Sequence, residues 1–364
     1  MTTVSKAVLS KAIGTTVKAV GANPVIPLLS NILFESKNGK SRVAATNLEI
    51  GISYTFPSSG EEFRTCIPAK VISSLVDAIN ADEVDLELDS DNQSIMVMTD
   101  SSTSNIRCAP ADEFPDIPKV EHPSFTLPVI QFKELVQRVA FCSDASKESA
   151  ISGVQLSIED GNLVMFAVDG FHMSYESTPL LALKRGENIP FIVKGTMMET
   201  ISRILPDEGV LGVQVEENKA MFHCGDVDIV TQLLNGQFPS HGQLSAAILP
   251  PNTTLFVSTL ELLRAARQLR VFASEVGSSK LSIKGMLVRY STIAKEKGDS
   301  DITFAAIKKG SDMEVGINVH LLHELLEVCK TEQITIEMAD SRSPIVFKMK
   351  GLDTFYHVIM PIVL

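Results

Sequence analysis

The sequence predicts an α+β protein built from three repeats of helices and antiparallel strands, and three observations carry that expectation. Two families of helix-like segments recur at nearly constant spacing. Runs of alternating residues fill the intervals between them. A Phe-Pro junction recurs after 124 residues, at Phe114-Pro115 and Phe238-Pro239. Strand runs interrupted by only two helices per repeat favour antiparallel sheets over a doubly wound βαβ fold.

The first element in each repeat is a helix: SKAVLSKAIGTTVKAV from Ser5, VIQFKELVQRVAFCSD from Val129 and TLELLRAARQLRVFAS from Thr259. Strand-like runs follow it. They are NILFES, RVAATN and LEIGISYTF in the first repeat, GVQLSI, NLVMFAVD and HMSYES in the second, and KLSIK, MLVRYSTI and DITFAAI in the third. A second helix comes next, starting at Ile67, Ile192 and Ile317, which are 125 residues apart in both steps. Its apolar positions recur at helical spacing: Ile72, Val76 and Ile79; Met197, Ile201 and Ile204; Leu322, Leu326 and Cys329. Each second helix leads into an alternating run, VDLEL, GVQV or ITIEM, then a polar turn (DSDN, EENK or ADSRS) and a further strand. The half-repeats resemble one another too, which predicts six related modules. Linkers are expected at Glu113 to Ser124 and Gln237 to Asn252, both rich in Pro and short polar residues. These place the domains at 1–121, 122–246 and 247–364.

Composition narrows the function. With 364 residues, 45% hydrophobic and 21% charged, the chain has ordinary globular composition. Its 32 Lys+Arg against 44 Asp+Glu give −12, which excludes a uniformly cationic nucleic-acid coat but allows a local basic surface. The five cysteines form no CxxC pair and read as reduced thiols of a cytoplasmic protein. The longest uncharged stretch, Ile229 to Leu260, is broken by Pro239, Pro250 and Pro251, so no membrane span is expected. The N-terminal segment lacks arginine and an apolar block, so no targeting segment is expected either.

Chemistry is sparse. There is no phosphate-binding loop and no nucleophile elbow. His320 and His323 are three apart on a helix but have no third ligand, and Asp89 and Asp91 lack the glycine of a calcium loop. No metal and no cofactor are expected. Asp169 and His172 form the one tempting acid-base pair for a repeat-built hydrolase or transferase, though Asp169 before Gly170 has a simpler role in a turn. The cations are more informative. Lys6, Lys11 and Lys18 are the only charges on the first helix; Arg264, Arg267 and Arg270 recur every three residues on its third copy; Lys70, Lys133, Arg138, Lys147, Lys194 and Arg203 sit on or near the others. Gathered on one side, they would form a phosphate-facing lining on an acidic protein.

Several segments carry a family resemblance: NPVIPLLSNILFES, AATNLEIGI, ISGVQLSIEDGNLVMFAVDGFHMS with its Ala167 to Gly170 core, FPSHGQ, and the terminal VIMPIVL. Through these the chain resembles the bacterial DNA polymerase III β subunit, the sliding clamp, over essentially all of its length. The resemblance implies three clamp domains and a head-to-tail homodimer closed into a ring, with helices on the inner wall. Such a ring would hold duplex DNA topologically and without sequence readout, acting as a non-catalytic processivity factor. The replicative polymerase and the clamp loader would be its partners. It also implies a pocket for partner peptides with apolar anchors, formed by Ile151, Val168, Gly170, Phe171, His172, Met173, Pro239, Gln243, Leu244, His320, Arg342, Pro344, Val358, Met360, Pro361 and Ile362. Ile106, Val271 and Phe272 would close the ring. Lys6, Lys11, Lys18, Lys70, Lys133, Arg138, Lys194, Arg203, Arg264, Arg267 and Arg270 would face DNA. Four departures from the family pattern, Asn23, Phe171-His172, Gln243 and Val363, make the pocket rim and the DNA contact less cationic and suggest a divergent or phage-carried member. An acidic protein-binding scaffold that never encircles DNA is the alternative.

Overall fold

A computed structural model describes residues 1–21, 24–89, 91, 93–144, 146–147, 149–184, 190–294 and 297–363, without the side chains of 293 and 294. Asn23, part of the DSDN turn and the last residue of VIMPIVL lie outside the described residues.

The six expected helices form at Lys6–Thr16 (α1), Ala69–Ala78 (α2), Val129–Val139 (α3), Gly195–Ile204 (α4), Thr259–Phe272 (α6) and Val319–Val328 (α7). A seventh, His241–Ser245 (α5), lies inside the stretch read as the second linker. In α6 the buried Leu262, Ala265, Ala266 and Leu269 fall at i, i+3, i+4 and i+7, one stripe of a 3.6-residue helix. Ser258 starts it by accepting the Glu261 N–H at 3.4 Å. Asn318 caps α7 in the same way, its Oδ1 taking the N–H groups of His320 and Leu321. In α4 Ile201 and Ile204 are buried as expected, but Met198 takes the inward position expected for Met197, which is half-buried.

The residues fall into two compact units. One takes Met1–Ile130, Arg203–Leu233 and a short segment from Leu181; the other takes Gln131–Leu180, a stretch ending at Ser202, and everything from Leu234 onward. The first unit holds a five-stranded sheet in the order Ser59–Gly60, Thr2–Ser5, Glu83–Asp89, Ser94–Thr99, Ser102–Arg107. It also holds a nine-stranded sheet: Ala182–Leu183, Phe125–Pro128, Val210–Val215, Lys219–Cys224, Val227–Gln232, Ile50–Pro57, Lys40–Thr46, Asn31–Lys37, Phe63–Pro68. The second unit has a nine-stranded sheet in the order Phe191–Lys194, Gly153–Glu159, Asn162–Val168, His172–Pro179, Phe355–Ile359, Ile345–Met349, Gln333–Met338, Thr253–Ser258, Ile307–Gly310. Its four-stranded sheet runs Gly298–Ala305, Leu287–Ala294, Ser278–Lys284, Met313–Asn318. Paired strands are antiparallel throughout.

Each nine-stranded sheet joins strands from two repeats. Ile50–Pro57 pairs with Val227–Gln232 in the register Ile52↔Ile229, and His172–Pro179 pairs with Phe355–Ile359 in the register Met173↔Val358. The strands leading into the first helices, Thr2–Ser5, Phe125–Pro128 and Thr253–Ser258, escape sequence reading because each runs straight into its helix with no turn between them.

The expected linkers are anchored to the cores. Phe114 and Ile117 are buried with Leu33, Ala44 and Cys66, and Arg42 Nη2 donates to the Ile117 carbonyl at 2.6 Å. Phe238 is buried against Phe166, ring centroids 5.7 Å apart. The repeated Phe-Pro therefore marks an aromatic anchor followed by a residue that fixes the backbone. In the second unit α6 and α7 pack over one large core that includes Leu262, Leu269, Leu322, Leu326, Ile334 and Phe347. Each fully buried leucine there contributes about 2 kcal/mol.

Candidate functional site: an apolar groove over a buried polar cluster

Side chains alternate across a strand, so the paired strands His172–Pro179 and Phe355–Ile359 present two chemically different faces. Met173, Tyr175, Tyr356 and Val358 belong to an apolar cluster with Phe166, Val168, Leu244 and Ile248. His172, Ser174, Glu176 and His357 are buried and meet Cys142 and Arg138.

The apolar face opens into a groove of about 320 Å³ lined by Val168, Gly170, Phe171, His172, Met173, Leu244, Ala247, Ile248, Pro344, Val358 and Met360. Val168, Met173 and Val358 form a buried floor, while Phe171, 66% exposed, and Met360, 44% exposed, stand at the rim. Backbone bonds hold that rim: Met360 N–H donates to the Phe171 carbonyl at 2.8 Å, and Asp169 Oδ1 takes the N–H groups of Phe171 and His172 at 2.7 and 2.9 Å. The turn passes through Gly170 at φ 100°, a backbone region that L side chains rarely adopt. The far wall is α5 and the turn after it. His241 stacks on Tyr175 with centroids 4.3 Å apart, and its Nε2 is hydrogen-bonded to the Tyr356 hydroxyl. Among the described residues no Asp, Glu, Lys or Arg lines the groove, so an occupant gains chiefly by burying apolar side chains.

Of the sixteen residues the family resemblance assigns to a pocket, nine line this groove: Val168, Gly170, Phe171, His172, Met173, Leu244, Pro344, Val358 and Met360. The other seven do not. Ile151 packs beneath it in the apolar cluster. Pro239 and Gln243 lie along the same segment as Leu244 without lining the groove. Arg342 sits in a turn where Asp340 Oδ1 takes its N–H at 2.7 Å. His320 Nε2 faces the Ser274 carbonyl at 3.1 Å, and Ile362 N–H donates to Gly316, which draws the tail after Pro361 onto another strand. Sequence reading missed Ala247 and Ile248. With Leu244 they follow i, i+3, i+4 spacing, a helical signal ahead of Pro250-Pro251 that the surrounding turn-forming residues mask.

The opposite face corrects a DNA-facing assignment. Arg138 turns inward: its Nη2 lies 2.6 Å from Glu176 Oε1, with side chains 13% and 2% exposed. Burial pushes the Glu176 carboxyl up from its ordinary value, and Arg138 pulls it back only in part. Other assigned cations have protein partners as well. Arg267 donates to Glu327 Oε1 at 2.8 Å, Arg270 Nη1 lies 2.7 Å from His323 Nδ1, and Lys11 sits 5.8 Å from the centre of the Tyr54 ring. Lys18, Lys70, Arg203 and Arg264 are exposed, whereas Lys6, Lys133 and Lys194 are half-buried. Of the assigned ring-closing residues Val271 is 67% exposed and Phe272 half-buried, but Ile106 is 5% exposed and belongs to the core. Strand alternation at Ser102–Arg107 turns it inward.

Asp169 and His172 are indeed paired, Oδ2 to Nε2 at 3.3 Å. On the other side of the ring Cys142 Sγ lies 3.6 Å from His172 Nδ1, which completes a Cys, His, Asp sequence. The sulfur is fully buried, so no substrate carbonyl can reach it, and Asp169 is occupied in the turn. Burial opposes protonation of His172, yet the Cys142 sulfur and the Asp169 carboxylate raise its pKa above the ordinary imidazole value. Burial also raises the Cys142 pKa, which keeps it a thiol at neutral pH, so Asp169 is the partner that supplies the charge. His320 and His323, the other ligand candidates, turn to different partners: Ser274, and Arg270 with Glu327.

Helices and antiparallel sheets repeated three times, with sheets running from one repeat into the next, form the architecture of bacterial DNA polymerase clamps. The sliding clamp of Bacillus subtilis superposes with a TM-score of 0.93 at 20% identity, covering 100% of this chain and 99% of that one. The β subunit of Thermotoga maritima gives 0.87 at 23% identity, covering 100% of both chains. The N-terminal, central and C-terminal domain families of the DNA polymerase III beta subunit match residues 1–118, 126–240 and 247–363. The chain belongs to the DNA polymerase III beta subunit family. Among its relatives, the beta sliding clamp of Synechococcus elongatus is 24% identical over 356 residues, covering 95% of this chain and 94% of that protein. That of Chlamydia pneumoniae is 24% identical over 347 residues, covering 94% and 93%.

Proposed function

We propose that two copies of this chain join head to tail into a ring that encircles duplex DNA and tethers a replicative polymerase, without catalysis of its own. The observation that carries this reading is the pattern of sheet edges. Within the first unit the third strand of one module, Ile50–Pro57, pairs with the last strand of another, Val227–Gln232; within the second, His172–Pro179 pairs likewise with Phe355–Ile359. The corresponding strands left over are Gly298–Ala305 and Ser102–Arg107, and each is outermost in its sheet. Open edges invite pairing with another chain. A second copy that pairs its Ser102–Arg107 with Gly298–Ala305 repeats the joint already used twice, and a two-fold axis makes two such joints and closes the ring. Val271, exposed at the end of α6, and Phe272 beside it would contribute apolar contact there.

In this reading the domains are 1–121, 122–246 and 247–364, and the protein works in the cytoplasm. Exposed cations such as Lys18, Lys70, Arg203 and Arg264 meet phosphates without base contacts, which is all a sliding ring needs. The groove takes short peptides of the polymerase and the clamp loader. Its largely apolar lining favours motifs with leucine-, methionine- or phenylalanine-type anchors, and Met173 and Met360 can adapt to several of them.

The test is to load the protein with a clamp loader onto nicked circular DNA, wash at high salt, and then linearise the circle. Retention before cutting and release after it is the expected result, because only a topological link resists salt yet depends on an intact circle. A protein with the mass of one chain, not retained by a loader that works on its own clamp, would instead point to the scaffold that binds partners without DNA.

A further inference from the structure

Beneath the floor of the groove three metal-ligating side chains converge, and one of them, His172, is also part of the groove lining. Cys142 ends a short 3₁₀ turn after α3, His172 opens one strand of the sheet joint, and His357 lies on the partner strand, where Ser174 pairs with His357. The Cys142 sulfur lies 3.6 Å from His172 Nδ1 and 3.7 Å from His357 Nδ1, and all three ligand atoms lie within 4.8 Å of one another. The cysteine and His357 are fully buried and His172 is 5% exposed.

We infer that Cys142, His172 and His357 form a binding site for a borderline-soft divalent transition ion, zinc in the first instance. A zinc ion with its sulfur at about 2.3 Å and its nitrogens at about 2.0–2.1 Å in a tetrahedron separates sulfur from nitrogen by about 3.6 Å. Both sulfur-to-nitrogen distances, 3.6 and 3.7 Å, match that edge. Thiolate and imidazole together suit zinc over the hard, oxygen-seeking cations. His172 is also oriented as ligating histidines are, for the ring nitrogen away from the cluster lies 3.3 Å from Asp169 Oδ2. That carboxylate is fixed in turn by two backbone N–H groups. Ser174 Oγ lies beside the cluster, 3.2 Å from the sulfur and 2.7 Å from His357 Nδ1.

Binding forms one bond from sulfur and two from nitrogen lone pairs. It releases to solvent the Cys142 thiol proton and the Nδ1 proton of the His172 imidazolium, while Nε2–H stays on Asp169, and it replaces the hydrogen bonds that Ser174 makes with the sulfur and with His357. His357 Nε2, which is not the nitrogen that faces the sulfur, is buried with no hydrogen-bond partner and keeps its proton when Nδ1 takes the ion. Entry is from the groove, where His172 is part of the lining. The ion would clasp the 3₁₀ turn to both strands of the joint, directly under the groove floor.

Cobalt(II) titrated into the full-length, chelator-treated and reduced protein tests this. The expected result is one ion per chain, a sulfur-to-cobalt charge-transfer band in the near ultraviolet, and tetrahedral d–d bands in the red that zinc bleaches. Cys142→Ser, shown to be folded by circular dichroism, loses the charge-transfer band. No such spectrum in the parent protein, or an unchanged spectrum in Cys142→Ser, overturns the site and leaves a packed polar cluster. Should Cys142→Ser not fold, zinc-edge X-ray absorption of the parent protein decides: one sulfur with two imidazoles supports the site, and any other set refutes it.

Discussion

At the scale of single residues, the buried ion pair between Arg138 and Glu176 separates structure from function most clearly. An arginine on a helix that faces DNA in the family resemblance is turned into the protein by a carboxylate on a strand 38 residues away. Removing one partner leaves the other charged and buried. Glu176→Gln is therefore expected to cost about 3–5 kcal/mol, read as a lower denaturant midpoint at unchanged slope. Asp169 gives a pH-dependent counterpart. Burial opposes its ionisation, but the hydrogen bond and charge of His172 and the two N–H groups outweigh burial and hold its pKa below the ordinary carboxylate value. A depressed folded pKa contributes stability that is present above about pH 4, the unfolded value, and lost as pH falls through the folded one. Asp169→Asn retains an oxygen for the turn and loses the charge and the acceptor that faces His172 Nε2. Its deficit in melting temperature is expected to be full at neutral pH and to vanish on acidification below the carboxylate range; a pH-independent deficit would point to the turn instead.

At the scale of elements, helices and strands were legible because their signals are local. The stripe Leu262, Ala265, Ala266 and Leu269 and the cap at Ser258 lie within a dozen residues of chain. So does Asn318 before α7, and Asn318→Ala is expected to cost about 1 kcal/mol, measured by equilibrium unfolding. The wall of the groove was harder to read. Leu244, Ala247 and Ile248 come from a five-residue helix and its exit turn, amid Gly and Pro that read as linker, and the stacking of His241 on Tyr175 holds it in place. No window of sequence around residue 241 contains Tyr175 or Tyr356.

At the scale of the whole molecule, the proposed ring depends on the open sheet edges. Because Ile106 is core, the exposed contribution to the joint falls to Val271 and to the edge strands themselves. Phe272→Asp is expected to convert a species of twice the chain mass into single chains by analytical ultracentrifugation, with the far-ultraviolet spectrum unchanged. DNA retention should then be lost with it. Persistence of the larger species would remove Phe272 from the joint and favour pairing through backbone groups alone.

What the sequence by itself determined is the repeat, the six main helices and most of the strands, each of which follows from periodicity within one segment and from the constant step between segments; the strand residues that floor the groove were legible only through the family resemblance. The tertiary structure alone decided which strands pair across repeats, that Arg138 and Ile106 point inward, and that Cys142, His172 and His357 meet from positions 30 and 215 residues apart. The physical reason is range. Amphipathic spacing and capping act between neighbours in the chain, whereas an inward turn or a three-residue cluster exists only once two distant strands have settled into one register and one face has been closed off from water.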